Sequence, residues 1–388
     1  MDESSRMSQQ AQSQPWRGPF LLGHAEAPDW ERAADSCLQQ LGYIPPETNL
    51  GFLYVTDSCA AHLAPILDHL REETGITDWV GTVGMGICAS GTEYYETVAI
   101  ATLVCAFPPD SFRILPTLRD AHLSELLDLQ GWLHRSQSHV GVIHGDPRNG
   151  NTPELITQLA ERLPGGYLVG GLSSSRGEEP QIANGIVQGG LSGVLFSDRV
   201  RIVSGLTQGC SPISGKHVIT ACERNIIAGI DDRPALDVFY QDIGEILARD
   251  LNRVAGYIFA GLPLTGSDGG DYLVRNLIGV DTRNKLLAIG DTIETGQALQ
   301  FCRRDGRSAW EDLQRMLDEL QTRLDGPPRG GLYYSCLGRG RNLFGDDSEE
   351  LRAISAALGD IPLVGFFANG EISNNRLYGY TGVLTLFL

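Results

Sequence analysis

VGVIHGDPRN (140–149), TPELITQLAERLPG (152–165), LVGG (168–171) and NGIVQGGLSGVLFS (184–197) follow one another in a telling order. An apolar run ends in a polar loop. A helical stretch then carries Leu155, Ile156, Leu159, Ala160 and Leu163 on one stripe, behind Thr152-Pro153 as a cap and first-turn pair. A short strand ends in Val-Gly, a glycine-rich loop follows, and a long β-branched run closes the unit. The order occurs twice more. One copy runs from GFLYVTDSC (51–59) through LAPILDHLREETG (63–75) and WVG (79–81) to ETVAIATLVCAF (96–107). The other runs from GLYYSCLGRGRNLFG (331–345) through SEELRAISAALG (348–359) and PLVGFFANGEI (362–372) to YGYTGVLTLFL (378–388). Each copy predicts strand, helix, strand, strand. Strand–helix–strand favours a parallel β-α-β unit, and the last strand, preceded only by a loop, is expected antiparallel. The fold class is therefore α/β in a mixed α+β form, with repeated units building mixed sheets covered by helices.

Outside the repeat, Trp30, Ala33, Ala34, Cys37, Leu38 and Leu41 mark a helix stopped by Gly42. In the third unit Asp347 and Glu350 have capping-box spacing. Between units two and three, residues 230–247 predict a helix, 256–264 a short strand, and 271–291 two strands around a turn at Asp281–Asn284. SAWEDLQRMLDELQTRL (308–324) predicts a helix with Ser308 and Glu311 as a capping box. The charged, proline-containing Asp231-Asp232-Arg233-Pro234 suggests a division into two domains, 19–230 and 231–388. Residues 1–18, rich in Ser and Gln, predict a disordered tail.

The 388 residues carry 30 basic and 48 acidic side chains, a net charge of −18. Such a chain repels phosphate backbones and anionic membrane surfaces, which argues against nucleic-acid and membrane partners. No apolar run approaches the ~20 residues of a membrane helix. The N-terminus is polar and unlike a secretory signal, so the expected location is cytoplasmic. The eight cysteines form no Cys-x-x-Cys pair and read as free thiols, without a structural zinc site. The eight histidines show no metal-ligand spacing.

In β-α-β units the strand C-terminal ends form the binding edge. That edge gathers His144–Asn149 in unit two and the Cys336 loop in unit three. There Gly338 and Gly340 free the backbone, and Arg339 and Arg341 supply forked donors for a carboxylate or phosphate. The competing reading pairs these arginines with Asp346, Asp347 or Glu371. The second loops add Gly170, Gly171 and Ser173, and Asn369, Gly370 and Glu371. Arg275, a charge within apolar sequence, should be paired or ligand-facing. The Cys336 and Asn369–Glu371 loops are expected to share one cleft, with Glu371 near Arg339 or Arg341. Cys336 has no readable His–Asn/Asp partner set, and an inert thiol is the favoured reading. No metal-binding or catalytic residue is assigned.

HGDPRN (144–149), LVGGLSSS (168–175), TQGCSPI (207–213), RPALDVF (233–239), DYLVRNLIGVD (271–281), SCLGRGRNLFG (335–345) and GFFANGEI (365–372) together resemble the FIST family of bacterial sensory proteins. The resemblance covers the chain from about residue 45 to its end. It implies an N-terminal and a C-terminal FIST domain and a non-enzymatic, small-ligand-binding role in signal transduction. The small-molecule ligand is expected to be anionic. With no output domain after the terminal strand, it implies a stand-alone sensor acting through a separate partner such as a histidine kinase. Two alternatives stay open. One is a haem-binding nitric-oxide sensor of the same family, although no haem-ligand motif carries over. The other is an enzyme using Cys336 on a small acidic metabolite.

Overall fold

The computed structural model describes residues 18–120, 122–248, 256–264 and 272–388, with 245–248 as backbone only. The tail expected at 1–18 lies outside the described residues except for Gly18.

Three six-stranded sheets carry the three repeats. Leu50–Thr56 pairs parallel with Asp78–Gly84 and antiparallel with Ala99–Cys105. His139–Gly145 pairs the same way with Tyr167–Leu172 and Leu191–Ser197. Gly330–Cys336 does so with Leu363–Ala368 and Thr381–Phe387. The expected order and the antiparallel last strand are both present. The repeat is also longer than the sequence revealed. An outer strand adds antiparallel to each last strand: Phe20–Glu26, Phe112–Leu118 and Ile202–Gln208.

The glycine-rich stretch of each unit is a hairpin, and each hairpin completes a different unit's sheet. The unit-one hairpin, Gly86–Ala89 with Thr92–Tyr95, pairs with Leu363–Ala368 of unit three. The unit-three hairpin, Glu371–Asn374 with Arg376–Tyr378, pairs with Tyr167–Leu172 of unit two. The unit-two hairpin, Gln181–Ala183 with Ile186–Val187, pairs with Asp78–Gly84 of unit one. The exchange is cyclic, so the units form a ring with pseudo-threefold symmetry.

The recurring Val-Gly now has a cause. A Cβ built at Gly81, Gly170 or Gly365 would lie 1.8, 1.8 and 1.7 Å from the carbonyl oxygens of Leu53, Ile143 and Tyr333. Each glycine lets the second strand press against the backbone of the first, where no side chain fits.

Both faces of the central strands are buried, as expected of strands between two layers. Phe52, Tyr54, Val142, Leu332 and Tyr334 turn inward to one core shared by all three sheets. Leu53, Ile143 and Tyr333 turn outward beneath helices. Near the ring's axis the equivalent residues Tyr54, His144 and Tyr334 meet. Tyr54 Oη lies 3.0 Å from His144 Nε2 and 2.9 Å from Tyr334 Oη. His144 Nδ1 is buried without a partner, and burial lowers the imidazole's pKa to about 3. It is therefore neutral at physiological pH.

Unit three is interrupted between its outer strand and its helix Gly306–Thr322. The insertion is a closed barrel of six strands. In ring order they are His217–Glu223, Ile226–Ile230, Leu286–Ile289, Tyr272–Asp281, Ile258–Pro263 and Ala298–Arg304. Closure leaves few free edges. The helix Ala235–Ala248 packs its Leu236, Phe239 and Ile243 into the barrel's apolar core. The chain enters and leaves at the Cys210↔Arg304 pair, so the insertion's ends adjoin. Residue 230, where the sequence suggested a division, lies inside this barrel: Gly229 and Ile230 pair with Pro234 and Arg233.

The capping expectations need correction. Helix Gly306–Thr322 is capped by Asp305, which accepts from Arg307 N–H; Ser308 donates its hydroxyl to Asp305. Helix Thr152–Arg162 starts after Asn151, and Thr152 Oγ1 donates to Asp146 O. Glu350 does not reach back to a cap, because it is fully buried in the network described below.

Two outcomes test this architecture. Gly365→Ala should destabilise by at least ~2 kcal/mol, since overpacking against backbone leaves no side chain to yield. Gly326→Ala, with nothing within 4 Å of a new Cβ, should be near neutral. Thermal melting of the two variants decides it. The second outcome concerns acid. The unfolded chain binds a proton on His144 near pH 6.5; the folded one does so only near 3. Between these values the unfolded state holds more protons, so stability falls as pH falls, by on the order of 4 kcal/mol in total. Denaturant titrations of His144→Gln should lack that component of the acid loss.

Candidate functional site

The loops after the first and second strands of unit three leave from adjacent parallel strands, at the Cys336↔Ala368 register pair. They open into a cleft of about 780 Å³ facing the barrel. Of the residues expected at the site, Cys336, Gly338, Asn369, Gly370 and Arg275 line this cleft. The barrel supplies the opposite wall, with Arg304, Asn276 and Asp291, and Tyr380 closes one side.

Arg275 is ion-paired: Nε donates to Asp291 Oδ2 at 2.6 Å, and Nη2 to Leu377 O at 3.2 Å. Arg304 differs. Its Nη2 donates to Gly338 O at 2.6 Å and to Asn342 O at 2.5 Å, and among the described residues it has no carboxylate within ion-pair distance. It ties the Cys336 loop to the barrel and leaves a positive charge uncompensated at the cleft. Tyr380 donates from Oη to Asn276 Oδ1 at 2.9 Å and packs its ring on Phe259 at 4.3 Å. Asn369 is exposed in the cleft.

Other expected site residues are elsewhere. Arg339 is fully buried and does not face ligand. Its Nε and Nη2 donate to Glu350 Oε1 at 2.8 and 2.5 Å. Glu350 also accepts from Tyr333 Oη at 2.6 Å, Ser335 Oγ at 2.9 Å and Gly340 N–H at 3.2 Å. This network fixes the loop from beneath. Arg341 points away from the cleft, 3.2 Å from Glu96 and 4.4 Å above the Tyr95 ring. Gly340, at φ 51°, packs against Tyr95 and Phe367. Gly170 and Gly171 pair with Ile372 and Glu371 at the hairpin seam, and Ser173 is buried against Thr82 at 2.6 Å. These four residues are structural.

Glu371 is fully buried on the far side of the loop floor. Its Oε2 accepts from Thr381 N–H at 3.0 Å and Thr381 Oγ1 at 2.7 Å, while Oε1 has no partner. Burial raises its pKa to about 8, so near pH 7 it is mainly the neutral acid. The half-buried Cys336 sulfur accepts from Gly338 N–H at 3.5 Å. Burial first, then the neighbouring Glu371, push its thiol up. A thiol so held is a poor nucleophile. No histidine lines the cleft, Cys336 is held as the thiol and Tyr380 Oη is engaged with Asn276, so histidine and thiolate ligation of haem iron has no donor there.

Sequence reasoning missed Arg304, Asp291, Asn276 and Tyr380. The available signal was Arg303-Arg304 closing the apolar run ALQFC: alternation sends one of two adjacent strand cations to each face.

Because Arg339 and Glu350 are both buried, Arg339→Ala should cost ~3–5 kcal/mol of stability by leaving a carboxylate uncompensated. A melting temperature within a degree of the parent protein would contradict this network.

The chain matches the FIST N domain over residues 49–233 and the FIST C domain over 235–374. An uncharacterized protein of Mycobacterium tuberculosis is 31% identical over 386 residues, covering 95% of this chain and 99% of the relative. Another, from Mycobacterium bovis, is 27% identical over 381 residues, covering 95% of this chain and 89% of the relative. The chain belongs to the FIST family, with both its N and C domains present.

Proposed function

We propose that this protein is a non-enzymatic, cytoplasmic sensor. It binds a small carboxylate-bearing ligand in the cleft between barrel and strand ends, and reports to a separate signalling partner such as a histidine kinase. FIST domains are sensory domains of signal transduction. Among the described residues no helix is long and apolar enough to cross a membrane. The observation that carries the ligand class is Arg304, a guanidinium without a carboxylate partner among the described residues, set in a cleft of about 780 Å³. With Nη2 committed to Gly338 O and Asn342 O, Nε and Nη1 remain to donate charge-assisted hydrogen bonds to a carboxylate, and a partly enclosed cleft strengthens such bonds. Asn369 and Tyr380 add polar groups that orient a ligand. The cleft joins the inserted barrel to the unit-three loops, so a ligand there bridges two parts of the molecule. Bridging gives binding a means of changing the surface offered to a partner.

A thermal-shift screen of small carboxylates tests the reading. A ligand at ~100 times its dissociation constant adds about 2.7 kcal/mol of stability. Arg304→Gln should weaken a hit by ~1.5–3 kcal/mol in calorimetric titration, as for a charged hydrogen bond. Hits that bind Arg304→Gln as tightly as the parent would move the ligand elsewhere. For the partner, the expected result is a ligand-dependent change in autophosphorylation of a histidine kinase from the same host.

A further inference from the structure

The pseudo-threefold ring makes three corners, at each of which an outer strand meets its own unit's hairpin. In unit one the corner is closed: His24 Nδ1 lies 2.6 Å from Tyr94 Oη, joining Phe20–Glu26 to Thr92–Tyr95. In unit two, Arg119 just beyond the outer strand donates from Nη2 to Gln188 O, just beyond the hairpin, at 3.1 Å. In unit three the same corner holds a groove of about 730 Å³, between Ile202–Gln208, helix Gly306–Thr322 and Arg376–Tyr378. This groove is separate from the cleft described above, with Arg376 on its wall and Arg304 on the other's.

We propose that this groove is a second ligand site, which takes an anionic, hydroxyl-rich small molecule with the chemistry of a sugar phosphate. Arg376 lines the groove with no carboxylate in ion-pair distance among the described residues. Arg323, also on its wall, bonds only a carbonyl, donating from Nη1 to Ser204 O at 2.8 Å. Two guanidinium groups on one groove, without counter-ions among the described residues, suit a phosphate. Arg315, by contrast, is already neutralised by Asp312 and Glu319, both at 2.8 Å. Those carboxylates, on the same wall, are acceptors for ligand hydroxyls. Gln208 is more than nine-tenths buried and lines the groove, and its side-chain oxygen has no hydrogen-bond partner. A buried amide oxygen without a donor is costly, which favours turning the amide toward the groove when a ligand hydroxyl can supply one.

A peptide strand does not suit the groove. The free edge of Ile202–Gln208 is already satisfied by side chains: Arg323 on Ser204 O, Arg315 on Leu206 O at 3.3 Å, and Asp312 on Gln208 N–H at 2.6 Å. A capped edge does not template another strand. A polyanion is opposed by the chain's net charge of −18.

Calorimetric titration of the full chain with glucose 6-phosphate, glucose and inorganic phosphate tests the proposal. Saturable binding of glucose 6-phosphate is expected, tighter than either fragment. Arg376→Gln and Arg323→Gln should each weaken it by ~10-fold or more. Arg119→Gln, at the unit-two corner, should leave it unchanged. Absence of saturable binding at millimolar glucose 6-phosphate overturns the proposal. So does affinity that ignores Arg376 and Arg323, or that falls as much with Arg119→Gln. Phosphate binding as tightly as the sugar phosphate would overturn the hydroxyl-reading half. None of these results bears on carboxylate binding at Arg304, so the two sites stand or fall separately.

Discussion

The cyclic exchange of hairpins is the constraint on which the rest depends. Each unit ends its second strand at a neighbour's hairpin, and without it that strand would be an open edge. Three units are thus joined by main-chain hydrogen bonds as well as by a common core. The exchange needs close strand approach, which Gly81, Gly170 and Gly365 permit by lacking a side chain. It also brings polar residues to the axis. Tyr54, His144 and Tyr334 arrive there because the three central strands are equivalent. Their hydrogen bonds offset part of the burial of two hydroxyls and an imidazole.

The two proposed sites lie where the symmetry is broken. Units one and two run from outer strand to helix directly; unit three admits a barrel at that point. Insertion at adjoining chain ends leaves the sheet pairing intact, since Ile202–Gln208 still reaches Thr381–Phe387. It places a second wall against the unit-three strand ends. Arg304, the insertion's last strand residue, sits at the junction and grips the opposing loop by two carbonyls. Arg339 and Glu350 hold that loop from below. The protein is strongly acidic overall, yet arginines line both the cleft and the groove. The charges that matter to an entering anion are local, because screening at physiological salt acts over ~8 Å.

Buried acids and bases divide along the same lines. Glu350 is held by the Arg339 guanidinium and by three further donors, Tyr333 Oη, Ser335 Oγ and Gly340 N–H, so it serves as a structural tie. Glu371, fully buried and bonded by Thr381, is raised by that burial to about 8 and kept mainly neutral near pH 7. Cys336, beside Glu371, is kept as a thiol by burial, which suits a wall residue better than a nucleophile.

The sequence by itself determined the three strand–helix–strand–strand units, the parallel central pairs and the antiparallel last strands. Those features follow from local periodicity and from the short reach of loops. Hydrophobic pattern also sufficed for the two loops that meet in the cleft, since adjacent parallel strands end at one edge. Only the tertiary structure decided which sheet each hairpin completes, because backbone pairing carries no residue code and depends on neighbours far along the chain. It also decided the fate of the arginines. Arg339 and Arg341 looked alike in the Cys336 loop, but one is fully buried on Glu350 and the other rests on Tyr95 near Glu96. Arg304 gave little sign of itself at the end of a strand. A guanidinium becomes a binding group only where no carboxylate reaches it, and that is settled by the packing of distant segments rather than by its neighbours in sequence.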